Sequence, residues 1–193
     1  MVAIQEKPQV RLYSVEEYFE LEKRSDIKHE FVNGKLFPMP GEARNANEIV
    51  NNCVDIIRKP LKKRGFLVYS HDVRTVISEG KRYRYPDVVV THVTDDSDNY
   101  HVKFPIFLLE VTSEKSSTND RKTKLQEYTQ LDSAQFYLIV DQNEVSVEVY
   151  TREGKRWIYE QFKQLDDVIN LPIFDIQMPL SAIYEDIVFE SET

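Results

Sequence analysis

The sequence has only one cysteine, Cys53, among 193 residues, and its five glycines are scattered. A lone cysteine cannot form an internal disulfide, which excludes a disulfide-stabilised secreted domain and is typical of a reducing cytosol. No glycine-rich phosphate loop or nucleophile elbow is present, so no nucleotide cofactor is expected. A signal peptide and apolar runs long enough to span a bilayer are also missing. We therefore expect a cytoplasmic protein that has no membrane partner.

An excess of positive charge is missing as well, because 33 acidic residues outnumber 25 lysines and arginines and the net charge is -8. Proteins that coat nucleic acid are usually basic, since their affinity comes from neutralising phosphates. Any contact with DNA must therefore use a local basic patch or a metal ion. The length of 193 residues allows one substantial hydrophobic core. We predict a single domain over residues 1–193, with an irregular N-terminal segment over residues 1–12.

Local patterns in the first third of the chain predict a helix, a hairpin and a second helix. Ser14 and Glu17 form a capping box at the start of the first helix. The pair Asn33-Gly34 is the turn signal of a β-hairpin. Apolar residues then recur with helical spacing over residues 43–58, and Pro60 is expected to end or kink that helix.

The rest of the chain is dominated by apolar strands. Continuous apolar runs at residues 88–90, 106–109 and 136–140 suit central strands that are buried on both faces. The residues at positions 116–118 offer several N-caps for a helix that continues to about residue 130. This order of elements predicts an α/β or α+β core, with a central mixed β-sheet flanked by α-helices.

Two carboxylates stand at the ends of apolar strands. Asp87 directly precedes three valines, and Glu110 directly follows the run 106–109. A charge in such a place is costly unless it is paired, capped or bound to metal, and two close carboxylates repel unless a proton or cation lies between them. We therefore predict a Mg²⁺ or Mn²⁺ site at Asp87 and Glu110. The alternative is structural: Asp87 caps a loop and Glu110 forms a salt bridge to Lys124.

A lysine follows these carboxylates on the predicted helix. Asp120, Lys124 and Tyr128 are four residues apart, which places them on one helical stripe near the end of the Glu110 strand. A lysine beside a metal site can orient water or stabilise the charge that develops on a phosphate. The alternative is an Asp120–Lys124 pair that stabilises the helix by about 0.2–0.5 kcal/mol. The four histidines, at positions 29, 71, 92 and 101, show no metal-ligand spacing.

Two groups of basic residues stand out in this acidic chain. One consists of Lys81, Arg82 and Arg84 and leads into Asp87, and the other lies at residues 58–64. Most charge runs are solvated faces. The alternative is that both groups border the same cleft as Asp87 and contact phosphates, which predicts weak, magnesium-dependent and salt-sensitive DNA binding.

Several short motifs occur in a fixed order along nearly the whole chain. They are Tyr13 to Tyr18, His29 to Leu36, Arg84 to Val88, Leu109 to Ser113, Asp120-Arg121, Lys124, Tyr128, Tyr137 to Asp141 and Val147 to Tyr150. As an ordered set, these motifs resemble the Uma2 family of restriction-endonuclease-like proteins.

The resemblance implies a PD-(D/E)XK nuclease-like fold and a metal-dependent DNA endonuclease. The metal ligands would be Asp87, Glu110 and a backbone carbonyl at Val111, with Glu30 as an additional carboxylate. Lys124 would lie near the attacking water or the scissile phosphate, and Asp120 and Tyr128 would orient it. By analogy with related folds, we also expect a homodimer that cuts both strands.

Two positions depart from the family pattern. Thr112 stands where the usual lysine follows the glutamate by two residues, and Ala46 stands where relatives often carry a histidine. The ammonium group is then expected to come from Lys124 on the following helix. These departures leave two further hypotheses: a catalytically inactive module of the same fold that binds nucleic acid or protein, and a metal hydrolase acting on a small phosphoester.

Overall fold

The computed structural model describes residues 11–39, 41–92, 99–112 and 118–189. The helices in this part of the chain are α1 (Val15–Glu22), α2 (Arg44–Lys63), α3 (Thr118–Thr129) and α4 (Leu180–Ile183), with a 3₁₀ turn at Pro172–Phe174. The strands are β1 (His29–Val32), β2 (Lys35–Pro38), β3 (Phe66–Ser70), β4 (Arg74–Ser78), β5 (Arg82–Arg84), β6 (Val88–His92), β7 (His101–Val102), β8 (Phe107–Thr112), β9 (Phe136–Asp141), β10 (Val147–Glu153), β11 (Arg156–Phe162), β12 (Val168–Leu171) and β13 (Ile176–Pro179).

The strands form two large sheets and one ribbon. The larger sheet has six strands in the order β11-β10-β9-β8-β6-β3, and its β8–β9 pair is parallel with α3 as the crossover. A second sheet of five strands has the order β2-β1-β5-β4-β7, and β12 and β13 pair separately. The mixed six-stranded sheet is the predicted central sheet, so the predicted mixed α+β class is confirmed. The five-stranded sheet was not predicted.

Helix α2 covers one face of the six-stranded sheet. Its buried apolar residues pack with those of β6, β8, β9 and β10 in the main core, and the helical members are Ile49, Val50, Cys53, Val54, Ile57 and Leu61. The predicted end of this helix near residue 58 was wrong, since it continues through Pro60 to Lys63. Proline inside a helix costs about 3 kcal/mol. Complete burial of Leu61, worth about 1.5–3 kcal/mol, offsets much of that cost.

The start of α1 and the first hairpin both form as the sequence predicts. Ser14 and Glu17 make both hydrogen bonds of the capping box. Asn33 and Gly34 have positive φ angles of 49° and 84°, which a two-residue hairpin turn requires. The hairpin strand β1 pairs with β5 through Phe31 and Tyr83, which brings the five-stranded sheet toward the site described below.

Side-chain alternation divides β8 between two clusters. Phe107 and Leu109 belong to the main core under α2, whereas Leu108 packs on the other face with Tyr128 and Tyr137. Glu110 follows the same alternation and therefore lies on the α3 face. Strand β8 thus places the carboxylate of Glu110 on the face of the sheet that α3 covers.

Some predictions lie at the border of the described chain. The N-caps predicted at residues 116 and 117 fall outside the described residues, and α3 begins at Thr118. Of the irregular segment predicted over residues 1–12, only Arg11 and Leu12 are described, and neither belongs to a helix or strand. None of the described helices combines the length and the apolar character needed to cross a lipid bilayer.

Candidate metal and phosphodiester site

Antiparallel pairing of β6 with β8 brings the two predicted carboxylates together. Val88 pairs with Leu109 and Val89 with Leu108, so one further step of this register places Asp87 opposite Glu110. Both side chains line one cavity of about 270 Å³. The backbone N–H of Val111 donates to Oδ2 of Asp87 at 2.6 Å, which fixes the orientation of that carboxylate.

Helix α3 supplies the predicted lysine and tyrosine. Nζ of Lys124 donates to Oε2 of Glu110 at 2.9 Å, and the hydroxyl of Tyr128 donates to Oε1 at 2.7 Å. Glu110 is 6% exposed, so both of its oxygens are paired with donors in a nearly water-free place. The four-residue spacing on the helix therefore produces the predicted contact. Asp120, which completes that stripe, also lines the cavity.

Behind Lys124 lies a buried network of charges. Oε1 of Glu30 is 3.5 Å from Nζ of Lys124, and Oε2 of Glu30 accepts a hydrogen bond from Nη1 of Arg84 at 2.5 Å. Arg84 also donates to both oxygens of Glu127, at 2.8 and 3.1 Å. Removing one partner from such a network leaves a buried charge uncompensated, which is strongly destabilising.

The electrostatics of the cavity favour a bound cation. Burial, followed by the negative charge of Glu110, raises the pKa of Asp87 to about 8, while the Val111 N–H and Lys124 oppose the shift. Burial also raises the pKa of Glu110, although Lys124 opposes the shift. Burial disfavours the charged form of Lys124, yet Glu110 and Glu30 outweigh that effect and raise the pKa of its ammonium group. Lys124 therefore stays charged, and one more positive charge near Asp87 is favourable.

Sequence reasoning missed two residues beside Asp87. One ligand atom each from Glu42, His71 and Asp87 lies within 4.8 Å of the others, and Nδ1 of His71 is 2.8 Å from Oε1 of Glu42. His71 follows β3, whose last residue Ser70 pairs with Val88, and its backbone N–H donates to the carbonyl of Asp87 at 3.0 Å. No spacing in the sequence marks this set. The pairing of β3 with β6 accounts for His71, and Glu42 comes from the segment before α2.

The donor set fits a divalent cation. Asp87, Glu110 and Glu42 offer carboxylate oxygens, which are the ligands that Mg²⁺ and Mn²⁺ prefer, and all three line the same cavity. Thr112 and Ala46, the two residues that depart from the family pattern, also line this cavity. Thr112 has no ammonium group, but Lys124 supplies one, and Ala46 has no side-chain atom that could bind a metal.

The predicted nucleic-acid contacts occupy different environments. Lys81 is exposed and Arg82 is partly exposed, but Arg84 is only 4% exposed and faces carboxylates rather than solvent. Among the described residues that line the cavity, the basic ones are Arg121 and Lys124. None of the residues at 58–64 and 81–84 is among the described residues that line this cavity, and their contact with DNA stays a prediction.

Comparisons with known proteins place the chain in a family. Two curated relatives come from Synechocystis sp. (strain PCC 6803). The first, "Uncharacterized protein sll1609", is 29% identical over 77% of this chain and 86% of its own length. "Uncharacterized protein slr1290" is 25% identical over 91% of this chain and 93% of its own length. The crystal structure of a "putative nuclease belonging to DUF820" from Anabaena variabilis ATCC 29413 covers 91% of this chain and 99% of that one, with a TM-score of 0.72 and 18% identity. That likeness concerns the fold. The sequence model described as "Uma2: Putative restriction endonuclease" matches residues 15–181, and the chain therefore belongs to the Uma2 family.

Proposed function

We propose that this protein is a metal-dependent DNA endonuclease that hydrolyses phosphodiester bonds in the cavity at Asp87, Glu110 and Lys124. The observation that carries the proposal is the contact between Lys124 and Glu110 in the cavity that Asp87 lines. Two carboxylates can hold a divalent cation, and an ammonium group beside them stabilises negative charge on a phosphate. The description of the family as restriction-endonuclease-like supports the same chemistry.

Each residue has a distinct role in this proposal. A bound Mg²⁺ or Mn²⁺ would stabilise the charge of the phosphate and lower the pKa of a water molecule. Asp87, Glu110 and the backbone carbonyl of Val111 are the proposed ligands, and the Val111 N–H fixes the Asp87 carboxylate. Lys124 contacts the scissile phosphate or the attacking water. Tyr128 holds the second oxygen of Glu110 and limits the rotation of its side chain.

The proposed substrate is DNA, bound weakly because the protein carries a net charge of -8. Lys81 and Arg82 have the solvent exposure that a phosphate contact needs, whereas Arg84 acts from the interior through Glu30 and Glu127. The proposal includes a cytoplasmic homodimer, in which two sites cut the two strands. Light scattering of the purified protein measures the oligomeric state directly.

One observation favours a second function, a catalytically inactive module that binds nucleic acid or protein. Both oxygens of Glu110 already accept hydrogen bonds, from Lys124 and Tyr128, so this carboxylate is satisfied without a cation. Thr112 and Ala46 also lack the lysine and histidine of the family pattern. In this function the ion pair at Glu110 has a purely structural role.

Cleavage of supercoiled plasmid DNA separates the two functions. Wild-type protein is incubated with Mg²⁺, with Mn²⁺ or with a chelator, beside Asp87→Asn and Lys124→Met. Lys122→Met is the matched control, because Lys122 is exposed on the same helix. The endonuclease proposal expects metal-dependent nicking by wild type and Lys122→Met and none by the other two variants. Absence of nicking in every metal, or nicking that survives Lys124→Met, contradicts it.

A further inference from the structure

We propose that Glu42, His71 and Asp87 form a separate position for a divalent transition-metal ion, which takes Mn²⁺ in preference to Mg²⁺. This inference goes beyond the proposed function, because such binding requires no DNA and no cleavage. It concerns Glu42 and His71, which are not among the proposed ligands of the phosphodiester site, although Glu42 lines the same cavity.

Three different parts of the fold converge on this position. Glu42 lies in the segment before α2, His71 lies between β3 and β4, and Asp87 directly precedes β6. Their ligand atoms lie within 4.8 Å of one another. A metal at about 2.0–2.2 Å from each ligand atom requires separations of no more than about 4.4 Å. The 2.8 Å between Nδ1 of His71 and Oε1 of Glu42 is already within that limit, so small side-chain shifts complete the site.

The backbone holds two of the ligands in place before any ion binds. The N–H of His71 donates to the carbonyl of Asp87 at 3.0 Å, as the β3–β6 pairing ends. Oδ2 of Asp87 is held by the Val111 N–H at 2.6 Å. The backbone of His71 and the carboxylate of Asp87 are therefore fixed relative to each other, which reduces the ordering that metal binding must impose.

The position is open to solvent on one side. Glu42 lines the 270 Å³ cavity at Asp87, and together with His71 it also lines a larger cavity of about 890 Å³. The cluster thus lies where two cavities meet. An ion can enter from the larger cavity without passing Lys124, so occupancy of this position does not depend on the ion pair at Glu110.

The donor chemistry selects the metal. Mg²⁺ binds oxygen ligands and retains several waters, so an imidazole nitrogen adds little to its affinity. First-row transition-metal ions accept imidazole, and Mn²⁺ also accepts carboxylates and water. A set of two carboxylates and one imidazole therefore favours Mn²⁺ over Mg²⁺. Asp87 would be common to this position and to the cation position proposed at Glu110.

The test measures Mn²⁺ binding by electron paramagnetic resonance. The protein carries no affinity tag, has been stripped of metal, and is kept in a buffer without nitrogen ligands. The variants are His71→Gly and Glu42→Gln. Glycine is chosen because His71 has a φ of 59°, a conformation that glycine adopts without strain. Glu48→Gln is the matched control, since Glu48 is exposed in the larger cavity but is not one of the three ligands.

Wild type and Glu48→Gln are expected to bind Mn²⁺ with equal affinity, and His71→Gly and Glu42→Gln to bind it at least about 10-fold more weakly. Spin-echo modulation from a directly bound ¹⁴N nucleus should appear in wild type and vanish in His71→Gly. Excess Mg²⁺ should not displace the nitrogen-coordinated ion. Thermal unfolding of each variant without metal shows whether the fold is retained.

Three results would overturn the inference: no Mn²⁺ binding by wild type, binding without nitrogen modulation, or equal affinity in His71→Gly and wild type. Failure of the endonuclease proposal gives a different set of results. A protein that binds Mn²⁺ through His71 but never nicks DNA refutes the endonuclease and supports the metal position. A protein that nicks DNA, but whose Mn²⁺ affinity is unchanged in His71→Gly and Glu42→Gln, supports the endonuclease and refutes the separate metal position.

Discussion

Oε1 of Glu30 lies 3.5 Å from Nζ of Lys124, and this oxygen is buried and accepts no hydrogen bond within the described chain. Lys124 donates instead to Glu110 at 2.9 Å. If Glu110 binds a cation, the lysine loses this partner, and Glu30 is a buried carboxylate 3.5 Å away that can accept it. Glu30 therefore offers Lys124 a second position within the cavity wall, without exposing the ammonium group to bulk water.

The first prediction concerns this second position. Glu30→Gln should lower metal-dependent DNA cleavage by about 10-fold or more, the usual effect of changing a residue that orients a metal-site group. Glu127→Gln is the matched control, because Glu127 also binds the buried Arg84 but has no contact with Lys124 among the described ion pairs. Initial rates of plasmid nicking are the measurement. Equal rate losses in the two variants would mean that Glu30 acts through stability alone.

A second prediction separates the buried arginine from its exposed neighbour. Arg84→Met should lower the free energy of unfolding by about 3–5 kcal/mol, because it leaves Glu30 and Glu127 without their partner. Lys81→Met, at an exposed position in the same basic group, should change it by less than about 0.5 kcal/mol. Urea denaturation monitored by circular dichroism measures both. Similar midpoints for the two variants would contradict the buried network.

The third prediction is a pH dependence of the metal-free protein. The pKa of Asp87 is raised from 3.8 to about 8 in the folded state, chiefly by burial and then by Glu110. The folded state therefore binds more protons than the unfolded chain between these values. The contribution of Asp87 to stability is complete below pH 3.8 and is lost as the pH rises through about 8.

Asp87→Asn removes this titration and keeps an acceptor for the Val111 N–H. In the presence of a chelator, we expect the variant to gain stability relative to wild type as the pH is raised from about 5 to about 8. Urea denaturation at several pH values gives the difference between the two proteins. A difference that does not change with pH would show that Asp87 keeps an ordinary pKa in the folded protein.

The site divides into a part that local patterns predict and a part that they do not. Asp87, Glu110 and Lys124 were predictable because each is tied to a strong local signal: an apolar strand, or a helix that follows one directly. Contact between strands β6 and β8 then follows from their burial on both faces. Tyr128 was found by the same argument, since residues four apart on a helix share a face.

Glu42 and His71 had no such signal. The approach of His71 to Asp87 depends on antiparallel pairing of β3 with β6, which are separated in the chain by two strands of the other sheet. Glu42 reaches the same place from the segment before α2. Arg84 was misjudged for a related reason. A basic run is normally solvated, but alternation in β5 turns Arg84 toward the carboxylates of β1 and α3, and only the fold places acidic partners there.

The last prediction concerns the route by which an acidic protein holds DNA. Arg121 lines the cavity with Asp87 and forms an ion pair with Glu148, and its side chain is 36% exposed. Lys81 is exposed but does not line that cavity within the described residues. Arg121 is the more exposed of the two basic residues in the described lining of this cavity, since the side chain of Lys124 is only 14% exposed. Arg121→Gln should therefore weaken duplex DNA binding irrespective of base sequence and reduce the slope of log affinity against log salt by about 1.

Fluorescence anisotropy of labelled duplex DNA over a salt series, with and without magnesium, makes the comparison. Lys81→Gln removes the same charge at the rim of the five-stranded sheet and serves as the matched variant. The Arg121–Glu148 pair is partly exposed and contributes little to stability, so Arg121→Gln should remain folded. If Lys81→Gln reduces the salt slope and Arg121→Gln does not, DNA contacts the β4–β5 turn, as the proposal expects of Lys81, and Arg121 is not a phosphate contact. That result would contradict this prediction.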